Sequence, residues 1–305
     1  MAVTSLRSGR RLLLDSATKA LFQLLTWVCI AIFVGLALVL TQQSLPVLAE
    51  NNVADILFSG TWDPEAGQFG FLPAIVGTLI TMSVSMILVV PIAVLASVYI
   101  AEYARGSIRT LLSSSVDILA AVPSVIFGLF GLLIVAPLVD EVIAPLFGAG
   151  STGLGLLTAS LVIAVMTLPI IMSLSVESLV ALPDSLRETV LSLGETRSGM
   201  AIRILLRAAG PGILSAILLG LGRAFEASIA VAMVIGGKNL IPDSLFDAGQ
   251  TLPTLIVNTF GEMMSLPETR SALLFAALVL FVVVTAFNLL ASFARTRLER
   301  HWRYQ

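Results

Sequence analysis

An arginine and a glutamate three residues apart, Arg223 and Glu226, sit inside the apolar run GILSAILLGLGRAFEASIAVAMVIGG. A guanidinium presents a planar fork of donors that matches an oxyanion bidentately. A carboxylate beside it can hold that fork and keep it from trapping the anion. A charge at the centre of a bilayer costs roughly 2.5–3.5 kcal/mol on insertion scales, so such groups persist where they pair, line a wet cavity, or do both. The competing reading is an internal ion pair that locks one helix to its neighbours, although buried pairs are often neutral for stability. Ser228 follows in the same run, Ser124 follows Pro123 in another, and Thr78, Thr81 and Ser85 stand at i, i+3 and i+7 in a third. Hydroxyls ligate oxyanions, yet most in membrane helices bond back to their own helix or across a seam. Arg223, Glu226, Ser228, Ser124 and Thr81 form the candidate substrate path.

The elements that carry these residues are long apolar helices. Of the 305 residues 57% are apolar and 12% charged, with a mean hydropathy of +1.02, far from the quarter or so of charged residues typical of soluble chains. Runs at about 22–40, 72–100, 111–139, 154–182, 212–236 and 272–294 are continuous, where barrel strands would alternate. The expected fold is an all-α integral membrane protein with six transmembrane helices, three of them interrupted by Pro91, Pro123 and Pro169. Arg7, Arg10, Arg11, Lys19, Arg105, Arg109, Arg187, Arg197, Arg203, Arg207, Arg295, Arg297, Arg300 and Arg303 fall on one side of these spans. Only Lys238 and Arg270 fall on the other, so the positive-inside rule puts both termini in the cytoplasm of a multi-pass inner-membrane protein.

The organisation that follows is a cytoplasmic segment 1–21, a first uncleaved span 22–40, an extracytoplasmic loop 41–71, a core 72–294 and a cytoplasmic tail 295–305. Within the core lie an inner loop 183–211 and an outer loop 237–271. The outer loop contains PTLIVNTFGEMM, apolar enough for a short surface helix, and Ser265 and Glu268 have capping-box spacing ahead of the last span. Gly212, Ala216, Gly220, Ala224, Ser228, Ala232 and Gly236 are small and four apart, a row that lets another helix approach closely. Arg223 lies about 60° around the axis from Gly220, so the charged pair borders this seam, of which Gly212, Ala216, Gly220 and Ala224 are the core. A pathway between two chains would fit there.

The inner loop is not linker-like. Asp184 or Ser185 can cap a helix, with Glu188 at capping-box spacing from Ser185; Leu186, Val190 and Leu193 then form one apolar stripe, and Gly194 stands where a helix ends. The stripe suits either an amphipathic hairpin on the lipid surface or a helix docking into a partner's groove. Glu188 and Glu195 among the arginines favour docking.

Here the residues carry a resemblance. Permeases of ABC importers have an inner-loop signature of Glu-Ala-Ala, three residues, Gly, nine residues, then Ile-x-Leu-Pro. The present chain has Glu188-Thr189-Val190, then Gly194, then Ile204-Leu205-Leu206-Arg207 with both spacings intact. FGFLPAIVGTLITMSVSMILVVPIAVLASVYIAEYA, AAVPSVIFGLFGLLIVAPLV and LPIIMSLSVESLVALPDSLRETVLSLGETR are similar to the phosphate-importer permeases PstC and PstA, and GLGRAFEASIAVAMVIGG resembles PstC more closely. The resemblance implies a type I importer permease fold and an ATPase-coupling role for Leu186, Glu188, Val190, Leu193 and Gly194. It implies as partners a second permease (PstA-like), a dimeric ATPase (PstB-like) and an extracytoplasmic phosphate-binding protein (PstS-like), besides membrane lipid; no nucleic acid is expected. PstC-like chains read Arg-Ala-x-Gly-Glu-Thr where this one reads Arg223-Ala224-Phe225-Glu226-Ala227-Ser228, so the glutamate arrives one residue early.

Absences bound the alternatives. Gly236-Gly237-Lys238 ends in Asn239 rather than Ser or Thr, so no nucleotide-binding loop is expected; ATP would be used by a partner ATPase, with no cofactor on this chain. A lone histidine, His301, excludes a histidine-based metal site, and Cys29 stands alone in the first span. An intramembrane enzyme is disfavoured. The readings left open are a permease for another oxyanion such as sulfate, molybdate or tungstate, a PstA-like partner, a stand-alone secondary transporter, and a sensor subunit that has lost transport.

Overall fold

A backbone surrounded by hydrocarbon must satisfy its own N–H and C=O groups, so the apolar runs become helices. The computed structural model describes residues 2–64, 66–263 and 266–302. Among these, five helices are long and apolar enough to cross a bilayer, and six if one bent pair is taken as a single span.

The first helix, α1 (Ala2–Glu50), does not stop at residue 40 but runs ten residues into the segment expected to be a loop. Pro46 lies inside it, and the ladder there is mended from elsewhere. Val47 N–H donates to Ser271 Oγ at 3.0 Å, and that hydroxyl donates to Gln43 O at 3.1 Å. A proline ring pushes the preceding turn open, and the serine fills the gap. After α2 (Val53–Phe58), a two-residue hairpin (Trp62–Asp63 with Gln68–Phe69) leads to α3 (Leu72–Val98), which ends in a wide π turn at Tyr99–Tyr103.

The third span differs most from expectation. Pro123 does not kink a helix; it separates α4 (Gly106–Ala120) from α5 (Ser124–Leu146), because the residue before a proline is driven out of the α region. The membrane-length helix is therefore 124–146. Two further π turns widen α5, at Gly131–Val135 and Val139–Ile143, each just before a proline that cannot donate. By contrast, Pro91 and Pro169 are accommodated inside α3 and α6 (Leu156–Val180).

α7 (Asp184–Ser192) follows, then α8 (Arg197–Ala208), which meets α9 (Gly210–Phe225) at a 70° bend. Pro211 in the first turn of α9 needs no donor there. The expected fifth span, 212–236, is broken. α9 ends after 16 residues, a short α10 (Ser228–Ala232) begins, and Gly236 and Gly237 take positive φ. α11 (Leu252–Met263) is the outer helix read from the sequence, but it is not confined to the surface: Leu252 and Leu255 are buried, and Leu252 N–H donates to Thr78 Oγ1 at 2.9 Å. The last helix, α12 (Pro267–Trp302), packs against α1 and α11. Ser265 lies outside the described residues.

α6 is the centre of the bundle, with α3, α4 and α9 around it. The small-residue row on α9 faces it. A methyl group on Gly220 would overlap Ile171, and one on Gly212 would overlap Ser178, both on α6. Ala216 and Ala224 are fully buried. The seam therefore lies within this chain and is already filled, which corrects its assignment to a contact between two permeases. Gly220→Val should cost about 1–3 kcal/mol through overpacking, seen as a lower melting midpoint in detergent. Adding Ile171→Ala should recover part of the loss; a midpoint unmoved by Gly220→Val would contradict this packing.

Candidate functional site

The break after α9 decides where the charged pair sits. No glycine or proline occurs between Gly222 and Gly236, so it has no local cause; packing overrides helix propensity here. α10 lies on α5, where a methyl group on Gly128 would fall 2.9 Å from Ala230 Cα, and Ala227 and Ala230 are buried. Arg223 is in the last turn of α9, where the exposed carbonyls favour a cation, and Glu226 is the residue that ends the helix.

Arg223 Nη1 donates to Glu226 Oε2 at 3.1 Å. The arginine side chain is 32% exposed and the glutamate 69% exposed. Arg223 Nε is buried and has no partner among the described residues. The guanidinium carries five donors, and the pair engages one. It is thus a half-sheltered cation with donors to spare, at a place where a helix stops inside an apolar segment. Ser228 and Ser124 are half-buried and open α10 and α5, which lie side by side. Thr81 is a correction: it is fully buried and bonded back to Gly77 O (2.8 Å) and Thr78 O (3.1 Å), so it faces no open space.

The α7 residues divide in two. Val190 is buried and Leu186 half-buried, packed on a cluster that includes Val98, Leu179, Met200, Ala201 and Leu205. Leu193, expected on the same stripe, is 82% exposed, and Glu188 and Leu191 are exposed as well. The stripe seats α7 on its own chain, while its far edge is left bare. Gly194 has φ +87° and open space around it, the left-handed helix end its position implied. The expected cap is absent: Pro183 precedes the helix, and no side chain caps it among the described residues.

What holds α7 instead is Arg187. Its Nη2 donates to Glu102 Oε1 at 3.0 Å and to Leu179 O at 2.8 Å; its Nη1 donates to Leu182 O at 2.7 Å and Asp184 Oδ1 at 3.2 Å. Glu102 is 8% exposed and Arg187 18%.

A family model for "Binding-protein-dependent transport system inner membrane component" matches residues 90–304. The chain belongs to this family. The permease is 33% identical to the phosphate transport system permease protein PstC of Xylella fastidiosa (strain Temecula1), over 96% of this chain and 95% of that one. It is 32% identical to PstC of Pasteurella multocida over 88% and 89%. It is likewise 32% identical to the probable ABC transporter permease protein YqgH of Bacillus subtilis over 91% and 88%. Among solved structures, a chain of the MetNI methionine ABC transporter in inward-facing conformations aligns with TM-score 0.60 and 17% identity, covering 78% of this chain and 99% of that one. A chain of a bacterial alginate ABC transporter aligns with TM-score 0.54 and 17% identity, over 72% and 76%. These two establish the fold, that of ABC importer permeases; the PstC relatives establish the kinship, that of a multi-pass inner-membrane transport protein.

Sequence reasoning counted Arg187 only as one of many inside charges and passed over Glu102 altogether. The two are 85 positions apart, and no local pattern links them. The one available signal was a lone acid, Glu102, closing an apolar run beside a basic residue, Arg105. Two other acids were missed: Asp117 on α4 and Glu177 on α6 line a cavity of about 140 Å³ with Ser113 and Ser173. Carboxylates repel an anion, so that cavity is no resting place for one.

Proposed function

We infer that the chain is a permease subunit of an ATP-driven importer of inorganic phosphate and forms the translocation path with a second, PstA-like permease. The observation that carries the reading is Arg223, a half-sheltered guanidinium at a break in an apolar span, its buried Nε unpartnered among the described residues. Phosphate offers the oxygens that such a fork accepts in pairs. Glu226 competes for one arm of the fork, so an arriving anion exchanges with a carboxylate instead of falling into an empty trap. Ser228 and Ser124, each at the start of a helix beside this break, supply further hydroxyl donors. Hydrolysis of ATP takes place on a dimeric PstB-like ATPase, which seats against the bare edge of α7, namely Glu188, Leu191, Leu193 and Gly194. A PstS-like protein delivers phosphate on the opposite side. Both termini are placed in the cytoplasm in this reading, which the arginine distribution supports.

The test is ATP hydrolysis and anion uptake by the complex reconstituted in proteoliposomes, with phosphate, sulfate or molybdate offered on the binding protein. Phosphate alone should stimulate hydrolysis and accumulate inside. Stimulation by sulfate or molybdate with no response to phosphate would sink the phosphate assignment and leave the importer reading intact.

A further inference from the structure

Any importer of this kind must carry movement from the ATPase contact to the membrane helices, and here that contact is α7. Two connections join α7 to the bundle. The first is apolar: Leu186 and Val190 on the cluster around Leu179 and Leu205. Apolar contacts are non-directional and tolerate sliding. The second is Arg187, and it is directional. One guanidinium reaches the carboxylate of Glu102 at the end of α3 and two carbonyls, Leu179 O and Leu182 O, at the end of α6. Those carbonyls lie at the C-terminal end of α6, which carries partial negative charge; Leu179 O also accepts from Leu182 N–H at 3.3 Å.

Glu102 owes its place to the π turn at Tyr99–Tyr103, closed by Ala104 N–H to Tyr99 O at 2.9 Å. A turn of this kind adds one residue to the helix and rotates the side chains beyond it, and such turns concentrate at functional sites. The Glu102 side chain is buried and that of Arg187 largely so. α3 and α6 share the most extensive helix–helix contact in the bundle, and α9, which carries Arg223, packs on α6.

We propose that Arg187 and Glu102 are positioning residues that bind α7, the inner end of α3 and the inner end of α6 into one rigid unit, so that displacement of α7 by the ATPase moves α3 and α6, on which α9 and its Arg223 pack. This rests on the importer reading above. Without the tie, α7 slides over its apolar seat and hydrolysis proceeds without translocation. Leu179 and Leu182 continue to hold Arg187 when Glu102 loses its charge, so α7 stays folded while the link to α3 falls from a charge-assisted pair to a single hydrogen bond onto a neutral amide.

The experiment uses the full complex in proteoliposomes with Glu102→Gln, which keeps the shape, and separately Arg187→Lys, which keeps the charge and loses the fork. Glu102→Gln should retain the ATPase and most hydrolysis while phosphate uptake falls, raising ATP consumed per phosphate about tenfold, within the ~5–150-fold span of coupling effects between sites. Arg187→Lys should move the ratio in the same direction by less. Spin labels at Ser185→Cys and Arg105→Cys, in a Cys29→Ser background, should keep a constant separation between nucleotide-free and nucleotide-trapped states in the parent. In Glu102→Gln they should change separation. A ratio that stays at the parental value overturns the proposal, whether both activities fall together or neither changes. So does a label separation that ignores Glu102→Gln. A parent complex that imports no phosphate would sink the substrate assignment instead, and the label distances would still decide the tie.

Discussion

Arg223→Ala is expected to lower phosphate uptake by two orders of magnitude or more while the complex still assembles. Two charge-assisted hydrogen bonds from one guanidinium are worth about 1.5–3 kcal/mol each, so losing both removes a factor of roughly 10²–10⁴. The stability cost is small by comparison. The Arg223–Glu226 pair is half-exposed, with Arg223 32% and Glu226 69% exposed, and exposed ion pairs contribute ~0–1 kcal/mol. Arg223→Lys keeps the charge without the fork and should fall between parent and alanine. Glu226→Gln should act in the opposite sense on binding: released from the carboxylate, Arg223 holds the anion longer, so KM drops and turnover slows. Normal uptake by Arg223→Ala in proteoliposomes, with the complex intact by size-exclusion chromatography, would remove Arg223 from the path.

Leu193→Asp is expected to release the ATPase. Leu193 is 82% exposed at the end of α7, a large apolar side chain with no use for its surface on this chain. Burying a leucine against a partner is worth about 1.5–3 kcal/mol, and an aspartate there adds a desolvation cost, so affinity should fall by ~30-fold or more. Affinity purification through the permease should then recover little ATPase. Val190→Asp supplies the contrast. Val190 is buried on its own chain, so that change should damage the permease itself and lower its yield. Full ATPase recovery with Leu193→Asp and normal coupling would place the docking edge elsewhere.

The spans were legible because hydropathy is additive along a chain; their interruptions were not, because each depends on something distant. Pro123 reads as a kink or as an end, and only the packing of α4 apart from α5 decides. The break at Glu226 has no breaker residue. It answers to Gly128, about a hundred positions away, which lets Ala230 come close. The periodicity of Leu186, Val190 and Leu193 correctly announced a helix. It could not say which surface covers the stripe, since the chain's own core and a partner's groove are equally apolar. The small-residue row was likewise correct as a close-packing surface and wrong about its neighbour, which is α6. For the candidate site, Arg223 and Glu226 stood out because charge in the middle of an apolar run is costly. Thr81 had the right chemistry and the wrong exposure, which sequence does not carry. Glu102 and Arg187 were invisible as a pair because an ion pair across 85 positions leaves no spacing to read.

α1 makes its main contact with α12, where Phe33 and Phe281 are tilted at 40° (4.8 Å between ring centroids) and Ser271 mends its ladder at Pro46, and near its end Val47 joins a cluster with Ile56, Phe69 and Phe71. Most of its remaining described surface is exposed. Two rules of substitution therefore operate in one molecule. At Gly77, where a methyl would overlap the Gln250 carbonyl, tolerance is set by tenths of an ångström. Along the outward side of α1 it is set by the surrounding solvent, so an exchange of leucine for phenylalanine is nearly silent and an exchange of leucine for lysine is not. A saturation scan of this permease should show one helix face, the outward side of α1, whose fitness follows hydropathy alone, beside a bundle whose fitness follows volume.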